Sequence, residues 1–150
     1  MKEAPPRAGV PGAASPRPRS KSPRPPARRG QRAEVAVVTA VHVYAAWWTL
    51  RVTKFPKDLK HALGQRSLDL VLELLETLVE AAYLPAAERR PLLAAANRMV
   101  ERLRHLARLA HATAALPHES YGHAAEQLDD IGRQVGAWLR SERAGAADAA

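Results

Sequence analysis

The sequence predicts an all-α protein: an up-down-up-down antiparallel four-helix bundle that follows a disordered N-terminal tail. Apolar side chains between residues 33 and 141 recur at steps of three and four, which is the period of one helix face. Prolines divide this pattern into four segments, because proline disfavours helical geometry in the residue before it. These prolines are Pro56, Pro85 and Pro117. The connections are short, so we expect consecutive helices to pack antiparallel.

The basic charge of the chain is concentrated in the tail. Residues 1–32 contain nine of the 23 basic residues and one of the 15 acidic residues, which leaves fourteen of each in the rest of the chain. The tail also holds eight of the twelve prolines and no aromatic residue. Such a segment buries too little apolar surface to offset its chain entropy, so we predict that it is disordered. Residues 142–150 are predicted to form a flexible C-terminal end.

The first helix is predicted over residues 33–53, and its lack of charge is unusual. No charged residue occurs between Val35 and Leu50, whereas a surface helix normally has a charged face. This uncharged run has 16 residues and includes Thr39 and His42, and a membrane-spanning helix needs about 20 apolar residues. We therefore expect the helix to be covered by protein on more than one side, in an oligomer, and not to enter a membrane.

The other three helices are predicted over residues 57–83, 86–115 and 120–141. Ser120 is predicted to cap the last of them. Gly132 and Gly136 lie one turn apart within it. Each glycine destabilises a helix by about 1 kcal/mol relative to alanine. We therefore expect the close approach of another backbone or of a bulky ring at these positions.

Two motifs resemble those of a family of small bacterial four-helix-bundle proteins. The first motif is Trp48-Thr-Leu-Arg-Val-Thr-Lys-Phe-Pro-Lys57, followed by Leu63-Gly-Gln-Arg66. The second is Leu128-Asp-Asp-Ile-Gly-Arg-Gln-Val-Gly-Ala-Trp-Leu-Arg140. The family includes the accessory variability determinant (Avd) of diversity-generating retroelements. It also includes the proteins encoded by intervening sequences of large-subunit ribosomal RNA genes.

The resemblance to Avd implies an assembly and partners. Avd proteins are homopentameric barrels of four-helix protomers that associate with a reverse transcriptase and bind nucleic acid through basic surface. They assist the mutagenic copying of a template RNA into cDNA. For this chain the resemblance implies a homo-oligomer, a pentamer, that binds a reverse transcriptase and RNA or an RNA/DNA hybrid. We expect it to act in the cytoplasm.

Arginines of the third helix are the first candidates for nucleic-acid contact. The cluster comprises Arg89, Arg90, Arg98, Arg102, Arg104 and Arg108. Arg98 and Arg102 lie one turn apart, as do Arg104 and Arg108, and this spacing suits contact with successive phosphates. The alternative is a solvated face whose arginines pair with acids of the second helix.

Two further basic groups are candidates for the same contact. One lies at the start of the second helix: Lys57, Lys60 and Arg66. The other lies in the tail: Arg17, Arg19, Lys21 and Arg24. An extended basic tail would give salt-sensitive, sequence-independent affinity for phosphates. The alternatives for the tail are a solubilising extension or a start codon placed too far upstream. The remaining motif residues are expected to serve packing: Phe55, Pro56, Gly64, Gly132, Arg133, Gly136 and Trp138.

The sequence contains no recognisable catalytic or metal site. It has no cysteine, which excludes disulfides and thiolate ligands. His118 and His123 are five positions apart, whereas a helical zinc pair needs histidines four apart on one face. There is no phosphate-binding glycine loop and no nucleophile in a recognisable setting. We therefore expect a binding protein that is not an enzyme and needs no cofactor or metal. The alternative function is a structural protein-interaction scaffold, or a protein of the ribosomal-RNA intervening-sequence type, that does not bind nucleic acid.

Overall fold

The computed structural model describes residues 2–6, 9, 12 and 29–150, and four long helices account for most of the described chain. Helix α1 spans Arg29–Val52. Helix α2 opens with a short α-helical turn, Lys57–Leu59, passes through a π-helical segment, Lys60–Gly64, and continues over Gln65–Tyr83. Helix α3 spans Ala86–Ala112 and α4 spans His118–Asp148. The predicted all-α fold is confirmed.

The helices form a closed four-helix bundle. Each helix packs against the next one along the chain, and α1 also packs against α4. The core is formed by apolar side chains that recur at steps of three and four on every helix. On α1 these are Val37, Val41, Tyr44, Ala45, Trp48 and Val52, and on α4 they are Ala124, Leu128, Ile131, Val135, Trp138 and Leu139. Among the described residues, no helix is both long enough and apolar enough to span a membrane.

Several helix ends differ from the predicted ones. Helix α1 already begins at Arg29, so the last residues assigned to the tail are helical. Helix α3 ends at Ala112 and not at residue 115, because Ala114 adopts a left-handed backbone with φ of 61°. The predicted cap at Ser120 is wrong: α4 begins at His118, and the backbone carbonyl of Pro117 accepts the first helical hydrogen bond.

The end of α4 also lies beyond the predicted one. The helix continues to Asp148 and not only to residue 141. One reason is that Glu142, just after the predicted end, forms an ion pair with Arg89 of α3. A second is that alanine, the strongest helix former, makes up most of the last turns.

The corner between α1 and α2 is held by apolar packing around a glycine. Phe55 is buried, and its ring meets the ring of Trp48 edge-on at 5.9 Å. Gly64 lies so close to this corner that a Cβ there would be 2.8 Å from Cγ1 of Val52. Trp48 donates its indole N–H to the hydroxyl of Ser67 at 3.0 Å. These contacts place the π-helical segment directly against the end of α1.

At the opposite end of the bundle, Arg89 connects all four helices. Its Nη1 atom is 3.0 Å from Glu34 of α1 and 2.7 Å from Glu142 of α4. Its Nε and Nη2 atoms donate to the backbone carbonyls of Ala81 and Leu84, at 2.9 and 2.8 Å, where α2 ends. The three charged side chains are 12–16% exposed. We call these five residues the Arg89 cluster. Arg89 was considered for nucleic-acid contact, and its guanidinium is bonded within the bundle instead.

Trp138 joins the Arg89 cluster to the core. The guanidinium carbon of Arg89 lies 5.5 Å from the centre of the Trp138 ring, a distance at which cation–π attraction operates. The indole N–H of Trp138 donates to Glu142 at 3.2 Å. Trp138 itself is only 2% exposed. The ring therefore packs between the ion pairs and the apolar core.

Replacing Arg89 with alanine should destabilise the bundle by about 3 kcal/mol, because it leaves two largely buried carboxylates without a counter-ion. Arg89→Lys should be intermediate, since one ammonium cannot serve four acceptors arranged around a planar guanidinium. Urea unfolding followed by circular dichroism measures both changes. Arg98→Ala, an exposed arginine on the same helix, is the matched control and should change stability by less than about 0.5 kcal/mol. Equal midpoints for Arg89→Ala and Arg98→Ala would contradict a structural role for the cluster.

The hydroxyl of Tyr44 is buried and has no hydrogen-bond partner within the described bundle. Its side chain is fully buried in the core, and this burial raises the pKa of the hydroxyl above the ordinary tyrosine value. An unsatisfied buried polar group costs free energy. Tyr44→Phe should therefore stabilise the protein by about 1 kcal/mol, as measured by thermal and urea unfolding. Tyr83→Phe, at a side chain that is 87% exposed, should change nothing. Destabilisation by Tyr44→Phe would show that the hydroxyl is bonded in solution.

Candidate nucleic-acid interface

The predicted arginine cluster of α3 divides between two sides of the helix. Successive residues of an α-helix are rotated by about 100°, so residues two positions apart point in nearly opposite directions. Arg104 contacts α4, and Arg108 lies one turn further along the same side. Arg98 and Arg102 therefore lie on the other side, towards α2. The four arginines do not form one continuous row.

Arg104 is engaged in contacts within the bundle. It forms an ion pair with Glu101 one turn earlier on α3, and its Nε lies 3.3 Å from a carboxylate oxygen of Asp129 on α4. Its Nη2 also donates to the carbonyl of Leu128 at 3.4 Å. Arg104 thus has acidic partners, as in the alternative considered for this cluster. The acids belong to α3 and α4, however, and not to α2.

Gly132 makes room for the guanidinium of Arg104. A Cβ at this position would lie 2.5 Å from Nη2 of Arg104 and 3.4 Å from Cγ1 of Val100. At Gly136 a Cβ would lie 3.3 Å from Nη1 of Arg140. The expectation that a backbone or a bulky ring approaches these glycines is therefore wrong. The groups that approach them are the guanidinium groups of Arg104 and Arg140.

A shallow groove runs between α3 and α4 and is lined by arginines at two places; we call it the α3–α4 groove. One pocket, of about 200 Å³, lies near the C-terminal end of α3 and includes Arg104, Arg108 and Tyr121 in its lining. A second pocket, of about 330 Å³, lies towards the other end and includes Arg90 and Arg143. The acids nearest to this groove, Glu101 and Asp129, are those already paired with Arg104. Asp129 also lines the first pocket, where the two acids offset the charges of Arg104 and Arg108. The basic charge of the groove therefore lies mainly at the second pocket, beside Arg90 and Arg143.

The sequence analysis did not include Arg140 and Arg143 among the candidates. Both lie close to or beyond the predicted end of the fourth helix, so no face could be assigned to Arg143. Arg143 lies beside α3 because α4 continues past residue 141, whereas Arg140 lies against Gly136 of its own helix. The available signal was the alanine-rich composition after Arg143, which favours a longer helix.

Arg98 and Arg102 are exposed on the side of α3 that adjoins α2. Helical periodicity places Glu73 and Glu80 of α2 towards this side. Within the described bundle, neither arginine forms an ion pair with these glutamates. The charges of the α2–α3 side nevertheless alternate in sign. A phosphate backbone would therefore be attracted less strongly here than at the α3–α4 groove.

The remaining candidates lie apart from this groove. Lys57 and Arg66 are exposed, and Lys60 is half-buried, in the first turns of α2. They lie at the end of the bundle where α3 also ends, and thus at the same end as Arg108. Arg133, which the sequence analysis expected to serve packing and not nucleic-acid contact, is 76% exposed and lies 3.4 Å from Asp130 on its own helix. The tail candidates lie outside the described residues: Arg17, Arg19, Lys21 and Arg24.

The comparison with known protein families identifies the family of this bundle. A family model described as bAvd-like matches residues 41–142, about two thirds of the chain. The chain belongs to the bAvd-like family. As a bAvd-like protein it is an Avd-like accessory protein, which confirms the family indicated by the two sequence motifs. Searches among curated proteins and among solved structures each find no match.

The part matched by the bAvd-like family contains most of the arrangement described above. It runs from the second half of α1 to Glu142, the α4 member of the Arg89 cluster. It includes the corner at Gly64 and the glycines that accommodate Arg104 and Arg140. Arg143 and the basic tail lie outside it.

Proposed function

We propose that this bAvd-like protein is a non-catalytic nucleic-acid-binding accessory of a diversity-generating retroelement. It acts in the cytoplasm as a homo-oligomer, a pentamer, and assists a reverse transcriptase in the mutagenic copying of template RNA into cDNA. The observation that carries the proposal is the separation of two surfaces on the bundle. Basic side chains line the α3–α4 groove, whereas exposed apolar side chains are concentrated on α1 and α2.

The α3–α4 groove supports the nucleic-acid part of the proposal. Arg90, Arg108 and Arg143 are in the linings of its two pockets, and Arg140 lies beside them on α4. Arginine recognises phosphate through its planar set of donors, and contacts with phosphates need no particular base sequence. Small residues in the lining, such as Ala94, allow a nucleic-acid backbone to approach the arginines closely. This groove thus suits binding of RNA or an RNA/DNA hybrid by shape and charge.

The outer surfaces of α1 and α2 support the oligomer. Five of the six large apolar side chains that are exposed in the described structure belong to these helices: Val43, Leu50, Leu72, Val79 and Tyr83. Leu50 is 68% exposed and is the last residue of the charge-free stretch of α1. Exposed apolar side chains grouped in this way are typical of a protein–protein interface. Further copies of the chain would cover them and leave the α3–α4 groove accessible.

Reversing two charges in the α3–α4 groove should weaken nucleic-acid binding. For full-length Arg108→Glu/Arg143→Glu we expect a loss of affinity of about tenfold or more for an RNA/DNA hybrid. The dependence of log K on log salt should also fall by about 2, because two phosphate contacts are lost. Fluorescence anisotropy at several salt concentrations measures both quantities.

The control for this experiment is Lys54→Glu, an equivalent reversal at an exposed lysine in the turn after α1. It should leave both quantities close to those of the wild type. Unchanged affinity and salt dependence in the double variant would contradict the proposed interface. If the wild-type protein binds a reverse transcriptase but neither RNA nor a hybrid at low salt, the protein-interaction scaffold is the better description.

A charged residue in the apolar surface of α1 should disrupt the oligomer. Leu50→Glu introduces a carboxylate where apolar contact between copies is proposed, so light scattering should show a shift from oligomer to monomer. Leu109→Glu, at an α3 side chain that is 50% exposed, is the matched control and should leave the mass unchanged. A wild-type protein that is monomeric at all concentrations would contradict this part of the proposal.

A further inference from the structure

The connection between α3 and α4 brings together two histidines that are seven positions apart. His111 lies in the last turn of α3, and His118 is the first residue of α4. The Nδ1 atom of His118 lies 3.4 Å from the Nε2 atom of His111. His118 is exposed and His111 is half-buried, so solvent reaches the pair. Sequence spacing did not indicate this pair, because a turn and not a helix face connects the two residues.

Both rings are attached to well-defined parts of the structure. The ring of Tyr121 stacks on His111 with the ring centres 4.7 Å apart and the planes inclined by 19°. The connection itself is tied to α3, since the N–H of Leu116 donates to the carbonyl of Ala110 at 3.0 Å. Leu116 is also buried in the core. These contacts hold the end of α3 close to the start of α4, and this keeps the two histidines near each other.

The separation of the two nitrogens matches that of two ligands on one metal ion. Zinc binds imidazole nitrogen at about 2.0–2.1 Å with tetrahedral angles, which places two such nitrogens about 3.4 Å apart. Imidazole is a ligand suited to zinc, copper and nickel. We propose that His111 and His118 form a binding site for a divalent transition-metal ion of the zinc type, coordinated through Nε2 of His111 and Nδ1 of His118.

The site would be open, with water as the other ligands. Within the described residues, no group of three or more histidine, aspartate or glutamate side chains is arranged to hold a metal ion. The chain also has no cysteine that could compete for the ion. Two protein ligands make a moderate-affinity, exchangeable site, unlike the four-ligand sites that hold small domains together.

Metal binding would change the protonation pattern of the pair. At 3.4 Å the two facing nitrogens can share one N–H, with one ring donating to the other. Coordination requires a lone pair on both nitrogens, so each neutral ring must carry its proton on its far nitrogen. The ion thus replaces a single hydrogen bond by two coordinate bonds between the end of α3 and the start of α4. It would stabilise this connection.

The test is a zinc titration of the full-length protein, followed by thermal unfolding in a buffer free of chelators. Zinc should raise the Tm by roughly 3 °C or more, because it binds the folded state. His111→Ala and His118→Ala should each remove this shift and weaken zinc affinity by at least about tenfold. Cobalt(II) absorption in the visible range should report nitrogen coordination in the wild type only.

His105→Ala is the matched control, because His105 is an exposed histidine of the same helix. Its Tm shift with zinc should equal that of the wild type, and addition of EDTA should reverse both shifts. No shift in the wild type would overturn the proposal and leave a hydrogen-bonded histidine pair. A shift of equal size in His111→Ala and His118→Ala would also overturn it, since zinc would then bind elsewhere.

Discussion

The guanidinium of Arg89 is the interaction on which the geometry of one bundle end depends. It bonds to carboxylates of α1 and α4 and to the last carbonyls of α2, while its own backbone belongs to the first turn of α3. Few other single side chains could satisfy four acceptors from three directions. Because the charged groups are mostly buried, removal of any one of them would leave the others poorly compensated. The Arg89 cluster therefore fixes the spacing of all four helices at the end of the bundle where α2 connects to α3.

The other end of the bundle is stabilised in a different way. There most contacts are apolar: Phe55 and Trp48 pack together, and Gly64 allows α2 to approach the end of α1. One buried hydrogen bond, from Trp48 to Ser67, adds to them. Between these two ends, glycines on α4 let arginine side chains come close to the helix. The α3–α4 groove is thus a consequence of how the bundle is packed. Alanines contribute much of its lining, and its charge comes from arginines of α3 and α4.

Identical side chains on one helix serve different purposes in this protein. Arg89 is a structural residue, Arg104 is paired with two acids, and Arg108 lines the groove. The proposed function depends on this distinction, since only arginines without an internal acidic partner are available to neutralise phosphates. The concentration of exposed apolar side chains on α1 and α2 has a similar consequence. It leaves the basic groove outside the surface that copies of the chain are proposed to share.

The sequence by itself determined the helix number, the fold class and the boundaries at Pro56 and Pro85, because apolar periodicity and proline sterics are local properties. It also carried the motifs that indicate the family, now supported by the match to residues 41–142. Only the tertiary structure decided which arginines are engaged internally, because Glu34, Glu142 and Asp129 are distant in sequence from their partners. It also decided the length of α4, the role of Gly132 and the pairing of His111 with His118. Each of these depends on which helix surfaces meet, and helix periodicity does not specify the neighbour that a given face contacts.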